Sequence, residues 1–413
     1  MIGKRSTTLV IIGQGYVGLP LAIAAVQAGW KVIGIDISES KVAQINSGSS
    51  PVEDISDSLL SNAISSGTYN ATTDFTVASQ ASIVVICVPT PLDSRREPDL
   101  SLLKDAITKV SPFVSDETLI VNESTSYPGT LRSEIMPLFE TLKNGEFKKL
   151  YFASAPERVN PGDQNWNQSN TPRLVGGINK ESEDRAKFFY DSICDEVVLV
   201  SSPEVAEAAK LLENTFRLVN IALINEFSQI CNSNGISAQE VIDAASSKPY
   251  GFLPFRPGVG VGGHCIPIDP LYLSWWARQN GKRATMVELA DSVNLRMPKY
   301  VAELAIGMID PTISKPRVLI IGVAYKSGIA DIRETPAGDL YDQLRLYGAE
   351  VAWYDPLVRK WKDTNSVDLS WECDVAILAT RQPSMDLENF ISKGTPVLDC
   401  TNSIDSAAHV KSL

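Results

Sequence analysis

Histidine is nearly absent from this chain of 413 residues, which contains only His264 and His409. So few histidines argue against a histidine-based metal centre and against a serine–histidine catalytic triad. The cysteines lack the paired spacings of a disulfide framework or a zinc site, because they are scattered over positions 87, 194, 231, 265, 373 and 400. The sequence therefore predicts no metal centre.

Long apolar runs and an excess of basic residues are also missing. No apolar run is long enough to span a bilayer, and residues 1–8 lead into a short apolar strand without the layout of a cleavable signal. We therefore predict a cytoplasmic protein with no membrane partner. The formal net charge of −12 argues against nucleic acid as a partner, because phosphate binding needs a broad basic surface.

The first informative pattern is a strand, a glycine turn, a helix and a second strand within about thirty residues. An apolar run at 7–12 leads into Gly13-Gln-Gly15-Tyr16-Val17-Gly18, and a second run at 31–36 ends on Asp36. The glycines allow a tight turn and a close approach of a pyrophosphate to the helix N-terminus. Asp36 suits a ribose 2′-hydroxyl and would repel a 2′-phosphate, so the pattern favours NAD over NADP. The alternative is a turn that only packs a helix against a strand.

Three further buried strands, predicted at 82–89, 118–123 and 151–156, end in polar segments. Open α/β sheets bind ligands at these carboxyl ends. The candidate residues there are Pro89, Thr90, Thr125, Glu157 and Arg158. The alternatives are that the hydroxyl of Thr125 has no role at its strand end, and that Glu157 and Arg158 form a simple surface ion pair. Thr130 is predicted to cap the next helix, and a polar loop follows at 160–172.

A long helix is predicted from Pro203 to about residue 234, with Gly235 as its stop. A helix of this length suits a bridge between two domains and a dimer seam. The predicted seam residues are Leu211, Leu218, Val219, Ala222 and Ile230. Lys210 and Asn214 are four residues apart and share one face of the helix. A solvent-facing lysine is the alternative to a functional one.

A single thiol lies inside a run of glycines, in Gly258-Val-Gly-Val-Gly262-Gly-His-Cys265-Ile-Pro-Ile-Asp269. Glycine lets the backbone approach a ligand closely, and bare backbone N–H groups beside a thiol favour the nucleophilic thiolate. The alternative is an ordinary glycine loop with a buried cysteine. An aromatic segment rich in proline and glycine, residues 248–258, leads up to this loop.

A second α/β alternation begins at about residue 317, after a linker near 310–316. Its first loop, 324–336, concentrates charge where such sheets bind phosphates, although a solvated loop fits the spacing as well. We predict an α/β protein with two Rossmann-like doubly wound domains joined by a long central helix. The predicted divisions are an NAD-binding domain at 1–200, a helical and dimerisation domain with the thiol loop at 201–309, and a second nucleotide-binding-like domain at 310–413.

These segments together resemble the UDP-glucose/GDP-mannose dehydrogenase family over nearly the whole chain. The matching motifs are GQGYVG at 13–18, PER at 156–158, KLLEN at 210–214, GVGGHCIPIDP at 260–270 and GVAYK at 322–326 followed by DIRETPA at 331–337. The first motif is generic, whereas the thiol motif with the other four in this order is highly specific. The resemblance implies a four-electron oxidation of a sugar C6 alcohol to a carboxylate, with two NAD⁺ consumed per nucleotide sugar. It also implies that the domain at 310–413 binds the UDP-sugar.

The resemblance also assigns roles to matching positions. Cys265 would form a thiohemiacetal and then a thioester, Lys210 and Asn214 would stabilise the oxyanion, and Asp269 would tune the thiol or orient water. Glu157 and Thr125 would hold the hydrolytic water. The residues implied to bind the nucleotide sugar are Glu157, Arg158, Val159, Lys210, Asn214, Phe252, Phe255, Arg256, Gly258, Gly262, Lys326 and Arg333.

The residues around the thiol narrow the substrate. The run His-Cys265-Ile-Pro-Ile-Asp269 resembles the UDP-N-acetylhexosamine branch of the family, especially the N-acetylglucosamine 6-dehydrogenases of surface polysaccharide synthesis. We therefore predict UDP-N-acetylglucosamine as substrate, with UDP-N-acetylmannosamine or UDP-glucose as alternatives. Two other classes compete with this prediction: a two-electron hydroxyacid-type dehydrogenase, which would need no thiol, and a non-catalytic nucleotide-sugar sensor.

Overall fold

The computed structural model describes residues 8–52, 54–141, 149–159, 165–405 and 407–413. Part of the polar loop predicted at 160–172, namely 160–164, lies outside these ranges. The chain divides into two compact units, Met1–Glu213 with Trp275–Asn280, and Asn214–Ser274 with Gly281–Leu413.

The first unit is built on an eight-stranded sheet with the order β3-β2-β1-β4-β5-β6-β7-β8, in which only the β6–β7 pairing is antiparallel. Its strands are β1 Thr8–Ile12, β2 Lys31–Ile35, β3 Tyr69–Thr72, β4 Ala81–Ile86, β5 Leu119–Asn122, β6 Tyr151–Ser154, β7 Arg173–Gly177 and β8 Val197–Leu199. The strand order reverses between β1 and β4, so a crevice opens at their carboxyl ends, where doubly wound sheets bind ligands.

In the described part of this unit, six α-helices accompany the sheet. They are α1 Gly18–Gln27, α2 Glu39–Asn46, α3 Asp57–Ser65, α4 Ser101–Val110, α5 Met136–Thr141 and α6 Lys180–Tyr190. The β-branched run of β1 is fully buried from Leu9 to Ile11, as the sequence predicts for a central parallel strand. Ser38 and Ser56 cap α2 and α3 by accepting backbone N–H groups of the first turn.

The long helix α7 runs from Pro203 to Ser233 and ends just before Gly235, which has a φ of +67°. Its predicted extent is confirmed, but the predicted dimer seam is wrong for three of its five residues. Leu211, Leu218 and Ala222 are buried within the chain itself. Helical periodicity alone does not tell which apolar face packs against the helix's own chain.

Thr130 lies at the N-cap position of the following helical turn, Leu131–Ile135, as predicted, but its side chain forms no capping hydrogen bond. Thr130 already has helical dihedral angles, and its hydroxyl donates to the carbonyl of Tyr127 at 2.6 Å. The buried carboxylate of Glu207, on α7, instead accepts the backbone N–H groups of Gly129 at 2.7 Å and Leu131 at 3.2 Å. A tertiary contact from a distant helix therefore performs the capping that the sequence assigns to a local side chain.

The second unit contains a five-stranded parallel sheet with the order β10-β9-β13-β14-β15 and a small two-stranded hairpin. The strands are β9 Arg317–Ile321, β10 Glu350–Tyr354, β11 Lys360–Trp361, β12 Thr364–Asn365, β13 Val375–Leu378, β14 Val397–Asp399 and β15 Val410–Ser412. The helices that follow α7 in the chain are α8 Ala238–Ser246, α9 Asp269–Gln279, α10 Thr285–Ile306, α11 Pro336–Leu346 and α12 Glu388–Ile391. The predicted fold class, with two Rossmann-like sheets and a long central helix, is confirmed.

In the ranges that the structure describes, no helix combines the length and the apolar character needed to cross a membrane.

Candidate active site

The glycine turn after β1 has the geometry that a dinucleotide site requires. Gly13 has a φ of +93°, and a Cβ there would lie 2.3 Å from the carbonyl oxygen of Cys87. A Cβ on Gly18 would lie 1.8 Å from the carbonyl oxygen of Gly13. A Cβ on Gly15 would meet no atom within 4 Å, so this part of the turn faces open space. Among the described side chains, none caps the N-terminus of α1, whose N–H groups suit a pyrophosphate.

Asp36 follows β2 and is held as a charged acceptor. Its carboxylate accepts the backbone N–H groups of Gln14 and Ser38, each at 3.0 Å, and the ammonium of Lys41 at 2.9 Å. Burial raises the pKa of Asp36, but these hydrogen bonds outweigh burial and hold the pKa below its ordinary value. The carboxylate is therefore ionised and oriented at the strand end, as a ribose hydroxyl would require. These groups fit NAD.

The ends of β4 and β5 bring further predicted residues together. Thr90 is buried and Pro89 is exposed just beyond β4, while Thr125 is half-buried in the loop beyond β5. The hydroxyl of Ser124 accepts the backbone N–H of Val88 at 2.9 Å and so ties the two strand ends together. Thr125 thus directly follows the residue that joins the ends of β4 and β5.

Glu157 lies beyond β6 and is almost fully buried. One of its oxygens accepts the backbone N–H groups of Arg158 and Val159, each at 2.7 Å. The other accepts from Gln168 at 2.9 Å and from Arg173 at 2.6 Å. Burial raises the pKa of Glu157, but the charge of Arg173 and these hydrogen bonds lower the pKa below its ordinary value. Each oxygen of the carboxylate accepts two hydrogen bonds, which fix its orientation, and its role toward a water molecule stays a prediction.

Arg173, on β7, also contacts a second buried carboxylate, that of Glu123, at 3.4 Å. The hydroxyl of Tyr190 donates to the other oxygen of Glu123 at 2.5 Å. Burial raises the pKa of Glu123 to about 7, although the charge of Arg173 opposes this rise. The charge of Lys210 also lowers the pKa of Glu123, which places the Lys210 ammonium near this cluster.

Arg158 is engaged within the first unit. Its guanidinium contacts the carboxylate of Glu213, on α7, at 2.6 Å and donates to the carbonyl of Pro172 at 2.8 Å. Arg158 is therefore positioned by α7, one turn from Lys210. Its contact with the nucleotide sugar stays a prediction.

The thiol loop of the second unit ends in a turn that begins α9. The carbonyl of half-buried Cys265 accepts the backbone N–H groups of Ile268 at 3.2 Å and Asp269 at 2.8 Å. Asp269 is buried, and its carboxylate accepts the side-chain amide of Asn214 at 2.5 Å. The oxygen of that amide accepts from Arg217. A chain of hydrogen bonds therefore links α7 to the residue four positions after the thiol.

The aromatic segment before the thiol loop is anchored in the same unit. Phe255 contacts Phe216 edge-on with ring centroids 6.0 Å apart, and Phe252 is exposed. Gly258 donates its backbone N–H to the side chain of Asn225 at 2.9 Å. The guanidinium of Arg256 contacts the exposed carboxylate of Asp243 on α8 at 2.7 Å.

The charged loop after β9 lies against the thiol loop. Gly263 donates its backbone N–H to the carbonyl of Arg333 at 3.2 Å, and a Cβ on Gly262 would lie 2.7 Å from the Cβ of Tyr325. The guanidinium of Arg333 contacts Asp331 at 2.5 Å. The structure thus brings Lys326 and Arg333 onto a loop that borders the loop carrying Cys265.

Comparison with known proteins decides the family. Residues 7–194 match the NAD binding domain of the UDP-glucose/GDP-mannose dehydrogenase family, residues 204–296 match its central domain, and residues 319–406 match its UDP binding domain. The chain belongs to this family. The predicted NAD cofactor is confirmed by the match, and the chain is an NAD-dependent nucleotide-sugar 6-dehydrogenase.

Individual relatives agree with this assignment. The chain is 37% identical, over 84% of its own length and 79% of the relative's, to a UDP-N-acetyl-D-mannosamine dehydrogenase of Methanococcus maripaludis. It is 34% identical, over 86% of its own length and 84% of the relative's, to a UDP-N-acetyl-D-glucosamine 6-dehydrogenase of Pseudomonas aeruginosa. The solved UDP-D-ManNAc dehydrogenase structure from Pyrococcus horikoshii has a TM-score of 0.88 and 32% identity, and the match covers 98% of this chain and 99% of that one.

Several residues that contact or support the candidate residues within each unit were not predicted from the sequence. They are Glu123, Arg173, Glu207, Arg217 and Tyr325. Glu123 ends a buried strand, and Arg217 lies one turn after Asn214, so position gives a signal for both. Arg173 and Glu207 carry no such signal, because their partners are distant in sequence.

Proposed function

We propose that this dehydrogenase oxidises the C6 hydroxymethyl group of a UDP-N-acetylhexosamine to a carboxylate and removes four electrons. The observation that carries the proposal is the single thiol of Cys265 on a glycine loop whose end is tied to Asn214 through Asp269. Oxidation of an alcohol to an aldehyde requires no thiol. A nucleophile is useful where the aldehyde must lose a second hydride.

The chemistry of Cys265 follows from this requirement. After the first oxidation the thiolate forms a C–S bond with the aldehyde carbon, and a proton on its oxygen completes a thiohemiacetal. Loss of a hydride and of the hydroxyl proton converts this adduct into a thioester. Water then breaks the C–S bond and releases the acid and the free thiol. Each of the two hydrides is accepted by one NAD⁺, which the residues around Gly13 and Asp36 would hold.

The remaining candidates have supporting roles in this proposal. Lys210 and Asn214 would stabilise the negative oxygen at C6, as an ammonium and an amide donor can. Glu157 and Thr125 would orient the hydrolytic water. Lys326 and Arg333 would bind the diphosphate, with Phe252, Phe255 and Arg256 nearby on the thiol side.

The most specific part of the proposal is which epimer of the hexosamine is the substrate. The chain has 37% sequence identity with the mannosamine enzyme of M. maripaludis and 34% with the glucosamine enzyme of P. aeruginosa. We therefore place UDP-N-acetylmannosamine first, and the sequence-based prediction of UDP-N-acetylglucosamine second.

The test is absorbance of reduced nicotinamide with a panel of UDP- and GDP-sugars, with the acid product quantified in the same reaction. We expect two NADH per acid, and faster turnover of the mannosamine epimer than of the glucosamine epimer. One NADH per turnover with an aldehyde product would contradict the four-electron proposal. Preference for glucosamine would reverse the choice of epimer only.

We also propose a homodimer, a cytoplasmic location and the three-part division at residues 200 and 309. The dimer is supported by a row of exposed apolar residues on α7. These are Val205, Leu212, Phe216, Leu223 and Ile230. Four of them, from Leu212 onward, are 49–64% exposed, and spacings of four and seven residues place them on one side of the helix.

A further inference from the structure

The ring of Tyr325 covers the bare backbone just before the thiol. A Cβ on Gly263 would lie 2.6 Å from Cε2 and 2.8 Å from Cζ of this ring. The Cβ of Tyr325 itself would lie 2.7 Å from a Cβ on Gly262. Gly263, two residues before Cys265, therefore leaves the space that the aromatic ring fills, and Gly262, three residues before it, leaves space for the Cβ of Tyr325.

The loop that carries Tyr325 is fixed to the thiol loop at a second point. The backbone N–H of Tyr325 donates to the carbonyl of Asp331 at 3.0 Å, which closes the loop on itself. The carbonyl of Arg333 accepts the backbone N–H of Gly263 at 3.2 Å. The ring and the carbonyl of Arg333 thus hold the same glycine, and Lys326 and Arg333 belong to this loop.

The phenol of Tyr325 is neutral. Burial raises the pKa of Tyr325 to about 12, and the negative charges of Asp331 and of the Cys265 thiolate add to the rise. The phenol therefore stays protonated at the pH of any dehydrogenase assay.

We propose that Tyr325 is a positioning residue that fixes the thiol loop against the loop of Lys326 and Arg333, so that binding of the UDP moiety restrains Cys265. The proposal rests on the proposed function for its consequence in catalysis, but the restraint itself does not. The flat ring makes the contact with Gly263, the glycine that also donates to the carbonyl of Arg333, and the hydroxyl is not required for this contact.

The experiment measures alkylation of Cys265 by iodoacetamide, with and without UDP, by mass spectrometry of the peptide that contains it. Wild type, Tyr325→Phe, Tyr325→Ala and Tyr325→Leu are compared, with Tyr347→Ala as control. Tyr347 is an exposed tyrosine of the same unit, whose hydroxyl contacts Glu303. Thermal unfolding verifies that each variant is folded, and Tyr325→Leu provides the measurement if the alanine variant does not fold.

We expect UDP to slow alkylation in wild type, Tyr325→Phe and Tyr347→Ala, and to have no effect in Tyr325→Ala or Tyr325→Leu. In these last two variants kcat should fall by roughly 10- to 100-fold, the scale expected for a misplaced reacting group. The KM for the nucleotide sugar and the Kd for UDP should change little.

Equal protection by UDP in wild type and Tyr325→Ala would overturn the proposal, because it would mean that UDP shields the sulfur directly. Absence of protection in wild type would overturn it as well. If wild type oxidises no UDP-sugar but the alkylation pattern is as expected, the proposed function fails while the restraint stands.

Discussion

Two buried carboxyl groups of the first unit have pKa values shifted in opposite directions, although one guanidinium contacts both. Arg173 and three other donors hold the pKa of Glu157 below its ordinary value, whereas burial raises the pKa of Glu123 to about 7. The difference follows from the number of donors, since Glu157 accepts four hydrogen bonds and its charge is well compensated. Arg173 therefore keeps Glu157 ionised at the end of β6.

Replacement of Arg173 by methionine should destabilise the protein strongly. The variant leaves the buried charge of Glu157 without its main partner, and loss of one member of a buried pair costs roughly 3–5 kcal/mol. Urea unfolding followed by fluorescence measures the change. Arg185→Met is the matched control, because Arg185 pairs with exposed carboxylates of the same unit, and exposed pairs contribute about 0–1 kcal/mol. Equal loss in both variants would contradict the account.

At the scale of elements, the central strands of the first sheet and the long helix were predicted because their signals are local, whereas β3 was not predicted. The glycine turn after β1, the buried β-branched runs and the proline start and glycine stop of α7 are read from neighbouring residues. The cap of the helical turn Leu131–Ile135 was not predicted, because the acceptor is Glu207, more than seventy residues away in the chain. The dimer seam failed for a related reason, since packing against the chain's own core decides which face of α7 remains exposed.

Glu207 should make stability depend on pH. Burial raises the pKa of Glu207 to about 8, so the folded protein binds more protons than the unfolded chain between the ordinary pKa of 4.5 and this value. Its contribution to stability is therefore present at low pH and is lost as the pH rises toward 8, by at most about 1.4 kcal/mol per pH unit.

Glu207→Gln tests this dependence, because its side chain is neutral at every pH. We expect the difference in melting temperature, variant minus wild type, to become more positive from pH 5 to pH 8. Glu204→Gln, one turn earlier on α7, is the control, since hydrogen bonds from Ser202 and Arg132 outweigh burial and lower the pKa of Glu204. A constant difference between Glu207→Gln and wild type over this range would contradict the expected protonation.

At the scale of the whole molecule, the sequence predicted the family and the chemistry better than the internal contacts. The thiol motif at 260–270 and the strand-end motifs at 13–18 and 322–326 are each continuous in the sequence, so they were identified directly. The hydrogen bonds from Arg217 through Asn214 to Asp269, and the ring of Tyr325 on the thiol loop, join segments that are distant in sequence, so only the folded structure reveals them.

A charge on the exposed face of α7 should separate the proposed dimer. Leu223 is 59% exposed, and Leu223→Asp would bury an uncompensated carboxylate if this face packs against a second copy. Sedimentation should give wild type twice the mass of one chain and the variant the mass of one chain. Leu346→Asp, on the exposed side of α11, should remain dimeric. A dimeric Leu223→Asp would place the interface elsewhere.

The acid product formed by a Cys265→Ser variant tests the central claim most directly. Wild type and variant are incubated with NAD⁺ and the UDP-N-acetylhexosamine that wild type oxidises best, and acid and NADH are quantified together. The account predicts two NADH per acid from wild type and no acid from the serine variant, because a hydroxyl does not replace the thiolate in forming the covalent adduct. Acid released by the variant at the rate of wild type would contradict it.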